Sequence, residues 1–148
     1  MLHSDRPPEE LSKYTGFLLG YLGERSRASF VALLEPQGFH PREFGLMTVI
    51  ANRPGLTQHE LAATARVDPS SMVALLDALE EKGLAERRID PDDRRRRAVH
   101  LTDKGREQMQ VLQRQARRAA ETFLAPLDDD ERATLNRLLR KLAGLDDG

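Results

Sequence analysis

The chain has 148 residues, 39% apolar and 32% charged, with a formal net charge of −1, which suits one helical domain over 1–148 with a real core. It contains no cysteine, which excludes disulfides, thiolate metal sites and cysteine-based redox sensing. No apolar run approaches the roughly 20 residues that cross a bilayer, and Met1–Glu10 holds no signal-peptide core, so no membrane association is expected and the cytoplasm is the expected location.

Residues 1–8 are polar with paired prolines and read as a loose arm. From about Glu9 to Leu34, apolar residues recur at helical spacing: Leu11, Tyr14, Leu18, Tyr21, Leu22, Phe30, Val31 and Leu34. Gly16, Gly20 and Gly23 interrupt that stripe, either to admit a closely packed helix or to mark bends. Pro41 suits a first helical position, and the helix it opens runs to about Asn52, burying Phe44, Met47, Ile50 and Ala51. Pro54-Gly55 breaks it.

Thr57 followed by Glu60 has the form of a capping box, opening a short helix that buries Leu61, Ala62 and Ala65. Arg66-Val67-Asp68 makes a turn. Asp68 then caps a second short helix with Pro69 at its first position, and Met72, Leu75, Leu76 and Leu79 form its apolar stripe. Lys82-Gly83 ends it. Leu84–Ile89 and Arg97–Leu101 read as two strands joined by the charged loop that starts Asp90-Pro91-Asp92-Asp93. Thr102 caps a long helix to about Leu124, with Leu112, Ala116, Ala119, Ala120 and Phe123 on its apolar track. After Pro126 comes a last helix, acidic at Asp128–Glu131 and basic at Arg137, Arg140 and Lys141, as the helix dipole favours. Leu135, Leu138, Leu139 and Leu142 give it an apolar face.

The fold class is therefore mostly α with a small β-hairpin. Two short helices around a tight turn form a helix-turn-helix, and the arginine-tipped hairpin after them is a wing. Such a second helix enters a major groove, while guanidinium groups on a thin hairpin reach the backbone or minor groove. The near-zero net charge does not oppose this reading, because the charge is polarised. Arg94, Arg95, Arg96 and Arg97 are consecutive, whereas acid concentrates at Glu80-Glu81 and Asp128–Glu131.

Leu61-Ala62, Val67 to Ser71, Leu75 to Leu84, Arg87, Asp90 to Arg95 and Leu101-Thr102-Asp103-Lys104-Gly105 together resemble the multiple-antibiotic-resistance regulator (MarR) family. The stretch from Leu75 to Gly105 is specific, and the flanking helices agree in length and order. The resemblance implies a winged helix-turn-helix lobe over about 40–102, with dimerisation helices over about 9–35 and 103–145. It also implies a homodimer on double-stranded DNA, with half-sites about one turn apart. The expected function is transcription regulation, repression before activation.

The candidate DNA contacts are Arg94, Arg95, Arg96 and Arg97 at the wing, Ser70 and Ser71 in the recognition helix, Arg66 in the turn, and Thr57 and Gln58 before it. For the serines and Thr57 the alternative is simple helix capping. The resemblance makes Asp93 a brace for Arg95 and assigns Arg87 to bracing the wing through Asp93. Val73 and Ala74 stand where family members commonly carry polar or basic residues, which thins base readout or moves it to Ser71 or Asp77. A crevice between the first, second and fifth helices is also implied, for a small aromatic or phenolic effector. Tyr14, Tyr21, Arg25, Phe44 and Met47 are candidates to line it, with ordinary packing or solvation as the alternative for each.

No enzyme is expected, and no cofactor or metal. His3, His40, His59 and His100 are scattered, and His40 with Glu43 makes only two potential ligands on one helical edge. Asp90–Asp93 lacks the glycine and terminal glutamate of a calcium loop. The competing reading is a winged-helix protein-interaction module without specific DNA binding.

Overall fold

The computed structural model describes residues 6–145; His3 and most of the expected N-terminal arm lie outside them. The helices are α1 (Thr15–Leu34), α2 (Pro41–Asn52), α3 (Gln58–Ala65), α4 (Pro69–Glu81), α5 (Asp103–Phe123) and α6 (Asp129–Leu142). Strands β1 (Ala85–Ile89) and β2 (Arg97–Leu101) separate α4 from α5. They pair antiparallel, with Arg87 opposite Val99 and Ile89 opposite Arg97. No helix among the described residues is long and apolar enough to cross a membrane.

The chain begins differently from its hydrophobic pattern. Glu9–Leu11 forms only a 3-10 turn, and the Ser12 hydroxyl donates to the Glu9 carbonyl at 2.7 Å. Serine offers the backbone a local partner in place of the helical one. Tyr14 is then extended, at φ −97° and ψ 112°, so α1 starts at Thr15. Ala51, expected in the core, is exposed at the solvent edge of α2.

The core gathers where α2, α3 and α4 close on the wing and on the first half of α5. Leu34, Met47, Ile50, Leu61, Met72, Leu76, Leu79, Val99 and Leu112 are fully buried there. The wing is rooted in this core by its backbone. Gly55 N–H donates to the Val99 carbonyl at 3.2 Å, and Val99 N–H to the Leu56 carbonyl at 2.8 Å, so the loop at residues 55–56 is bonded to β2.

A second junction fixes where the wing leaves the recognition helix. Gly83 ends α4 at φ 71°, a conformation that glycine adopts without strain. The Thr102 hydroxyl donates to the Gly83 carbonyl at 2.6 Å and accepts from Gly105 N–H at 3.0 Å. Thr102 N–H donates to the Leu84 carbonyl at 3.0 Å. A Cβ on Gly105 would stand 2.0 Å from that same carbonyl oxygen, so only glycine lets α5 sit this close. The Leu101-Thr102-x-x-Gly105 sequence thus caps α5 and docks it in one motif.

Gly105→Ala should lower stability by about 1–3 kcal/mol, the usual cost of forcing atoms into a packed site. Gly45→Ala, facing open space in α2, should raise it by roughly 0.5–1 kcal/mol. Urea denaturation of the two variants checks both signs; an unaffected Gly105→Ala protein would remove the docking argument.

Candidate DNA-binding interface

The recognition helix α4 is closed at its N-terminus by Asp68. Its carboxylate accepts from the Ser70 hydroxyl at 2.6 Å, the Ser71 hydroxyl at 2.6 Å and Ser71 N–H at 3.0 Å. Those bonds, the Ser70 hydroxyl foremost, hold its carboxyl well below the usual carboxylate range. Both serines therefore commit their hydroxyl protons within the protein. They meet a nucleic acid as acceptors, or only after turning away from Asp68, rather than as the ready donors their position suggests. Val73 and Ala74 are exposed on α4 and offer methyl groups that can touch thymine.

Thr57 caps α3. Its oxygen accepts from Glu60 N–H at 3.2 Å while Glu60 accepts from Thr57 N–H at 2.9 Å, which leaves the threonine hydroxyl proton able to donate outward. Arg66 ends α3 in the left-handed region at φ 52°, the one non-glycine residue with positive φ among those described. The tight turn between α3 and α4 requires that conformation. Its side chain is exposed beside the exposed start of α4.

The structure corrects the expected partner of Arg87. Its guanidinium donates to Glu80 at 2.9 Å, Gln58 at 2.9 Å and Asp77 at 3.2 Å. The strand register explains why Asp93 is not among these partners: Arg87 lies mid-strand opposite Val99, while Asp93 sits beyond the strand end at the tip. Arg87 therefore ties β1 to α3 and α4, and Gln58 is engaged through its carbonyl.

Asp93 shapes the tip through the backbone. Its side chain accepts from Arg95 N–H at 3.0 Å, and its carbonyl from Arg96 N–H at 2.9 Å. Asp90 likewise accepts from Asp92 N–H at 2.9 Å. These aspartate turns put acid at the tip to use inside the loop.

The four arginines do not behave alike. Arg94, Arg95 and Arg97 are exposed, whereas Arg96 turns inward. It donates to both Glu60 oxygens, at 2.9 and 2.8 Å, lies 3.3 Å from Asp90 and reaches the Gly55 carbonyl at 3.3 Å. Arg96, expected among the wing-tip contacts, finds its partners within the protein. Only the fold shows this, because Glu60 is far away in sequence and already explained as a cap. The Thr57 N–H, and after it the Arg96 guanidinium, holds the Glu60 carboxyl below its usual range.

The expected effector residues lie in different surroundings. Met47 is wholly buried, because Leu46, Met47 and Ile50 form the inward stripe of α2. Phe44 packs edge-on to Phe30 at 5.1 Å. Arg25 donates to the Tyr21 hydroxyl at 3.0 Å, and Tyr14 is exposed beneath the Lys13 ammonium. An apolar groove of about 410 Å³ lies instead between α1, α5 and α6, lined by residues including Leu22, Phe30, Ala120, Phe123 and Leu139. None of the five expected residues lines it. His40 and Glu43 form a reciprocal cap on α2, with His40 Nδ1 accepting from Arg42 N–H at 3.1 Å and Glu43 accepting from His40 N–H at 2.8 Å. Lys82 pairs with the same carboxylate at 2.9 Å. Among the described residues no three histidine, aspartate or glutamate side chains gather as metal ligands.

Fold and surface together define a winged helix-turn-helix regulator. The MarR family profile matches residues 37–96. A Thauera aromatica protein described as a transcriptional regulatory protein for the hcr operon is 38% identical over 135 residues, covering 86% of this chain and 81% of its own. The transcriptional repressor CouR bound to a 23-mer DNA duplex superposes with a TM-score of 0.79 at 32% identity, over 93% of this chain and 98% of its own. CouR from Rhodococcus jostii RHA1 bound to p-coumaroyl-CoA gives a TM-score of 0.76 at 29% identity, over 92% of this chain and 96% of its own. This chain belongs to the MarR family of transcription regulators.

Two measurements probe the start of the recognition helix. Asp68→Ala should lower the melting temperature at neutral pH. Because the folded pKa is depressed, that deficit is fully present above the unfolded value of about 4 and narrows as pH falls below it; a deficit constant down to pH 2 would contradict the cap. Arg66→Gly should relieve left-handed strain and raise stability by up to about 1 kcal/mol, while weakening DNA binding in a gel-shift titration.

Proposed function

We propose that this regulator is a dimeric repressor that occupies a pseudo-palindromic operator, with two α4 helices in successive major grooves and two wings on the flanks. The observation that carries the reading is the wing tip: Arg94, Arg95 and Arg97 are exposed on a hairpin in which Asp90 and Asp93 accept hydrogen bonds from its own backbone. Ser70, Ser71, Arg66, Thr57 and Gln58 are the further candidate contacts, at the start of α4 and α3. Acting on DNA, the protein works in the cytoplasm, without catalysis of its own.

Dimerisation is supported by α6, which contains no buried residue. Leu138, Leu139 and Leu142 are 45%, 41% and 74% exposed, yet a helix this short is marginal in water without a packed apolar face. A second copy covering α1, α5 and α6 supplies that packing. Repression follows the DNA-bound relative. A small aromatic acid or its thioester as effector follows the relative bound to p-coumaroyl-CoA, acting by preferring a lobe spacing that does not fit the half-sites.

The test titrates purified protein against the DNA beside its own gene, with scrambled competitor, at several salt concentrations. Specific binding whose logarithm falls linearly with log salt is expected, and Arg95→Ala should reduce the slope by about 0.9 for each phosphate it no longer neutralises. Aromatic acids and their CoA thioesters should then release the DNA. Absence of DNA binding even at low salt would favour the protein-interaction module.

A further inference from the structure

We propose that Glu60 and Arg96 form a clamp that sets the wing against the helix-turn-helix, making the acidic Glu60 a positioning residue for DNA binding. The proposal rests on the DNA-binding reading above. Glu60 lies at the end of α3 that offers Thr57 and Gln58 to DNA, where an unpaired carboxylate would repel phosphate. It is held from both sides instead.

On the helix side, Thr57 N–H donates to Oε2 at 2.9 Å, which fixes the carboxylate as part of the α3 cap. On the wing side, two parallel bonds of 2.9 and 2.8 Å bring in the Arg96 guanidinium, the planar fork-to-fork geometry that adds direction to attraction. Asp90 holds the third face of that guanidinium at 3.3 Å, and Asp90 N–H donates to the Arg96 carbonyl at 2.8 Å. The line of contacts therefore runs from the cap of α3 through Glu60 and Arg96 to the turn carrying Arg94 and Arg95.

The wing needs such a tie. Its base is fixed by the bonds between residues 55–56 and Val99, but a two-stranded ribbon is marginal in water and the tip projects beyond that root. Arg96 directly precedes β2, and its inward guanidinium anchors the stretch of backbone on which the exposed Arg95 and Arg97 stand. Fixing the Arg96 guanidinium thus fixes the direction of its neighbours.

The clamp makes a prediction opposite in sign to simple charge counting. Removing a carboxylate beside DNA should tighten binding if only net charge matters. Glu60→Gln keeps the cap, since glutamine serves at the same position of a capping box, but removes the ion pair. The clamp requires this variant to bind DNA about three- to fivefold more weakly, the scale of one partly exposed ion pair. The salt dependence should not change, because every phosphate keeps its cationic partner. Arg96→Ala should show a similar weakening with the same slope, and the double variant should bind no more weakly than Arg96→Ala, because both changes break one interaction.

The measurement is the salt-dependent titration of wild type and the three variants, on DNA beside the gene and on a random duplex, with a melting curve confirming that each protein is folded. Tighter binding by Glu60→Gln would overturn the clamp. So would a slope reduced by about 0.9 per phosphate in Arg96→Ala, which marks direct engagement of the DNA, or effects that multiply in the double variant. A folded wild type that binds neither DNA would overturn the DNA-binding reading itself, a failure distinct from that of the clamp.

Discussion

The α5 backbone rests directly on the Leu84 carbonyl, and the placement of the other functional elements depends on that approach. Leu84 follows the glycine that ends the recognition helix and precedes the first wing strand, while Thr102 follows the second strand and caps α5. Pinning Gly83-Leu84 to Thr102-Gly105 therefore sets three directions at once. They are the exit of α4, the root of the wing and the departure of the long helix. A larger residue at 105 would separate them by the width of a methyl group, and no nearby side chain could absorb that shift, because the obstacle is backbone.

Upon this rigid base the surface separates two uses of charge. Asp68, Asp90 and Asp93 lie where DNA would approach, but each accepts hydrogen bonds from its own turn. Glu60, Asp77 and Glu80 are paired with Arg96 and Arg87. The arginines left outward are those a phosphate backbone would meet. A chain with a formal charge of −1 can thus present a local cationic edge without a globally basic composition.

The far end of the molecule follows a different constraint. Its leucines are spaced for packing, yet α6 buries none of them within one chain, and the groove between α1, α5 and α6 is apolar. Gly23, whose place in the sequence suits either a bend or a close approach, lines that groove. A dimer gives these surfaces a physical purpose and links the effector question to subunit geometry. Any ligand that changes how the terminal helices pack also changes the distance between two rigid lobes.

Local physics made much of this protein legible from sequence. Pro41, Thr57, Asp68, Thr102 and Asp128 each marked a helix start correctly, because caps act within a few residues. The stripe Met72, Leu76 and Leu79 and the two strands were likewise periodic signals. The early break at Ser12–Tyr14 was not, since a serine can equally continue a helix or compete with it. Side-chain partners were the least legible feature. Four consecutive arginines look equivalent in a sequence, and only the fold, by bringing Glu60 beside the wing, made Arg96 an internal brace. Arg87 met α3 and α4 instead of Asp93 for the same reason. The sequence by itself determined the elements, their caps and their inward faces. Tertiary structure alone decided which charges meet, because that depends on approaches between segments distant in the chain, which no local pattern records.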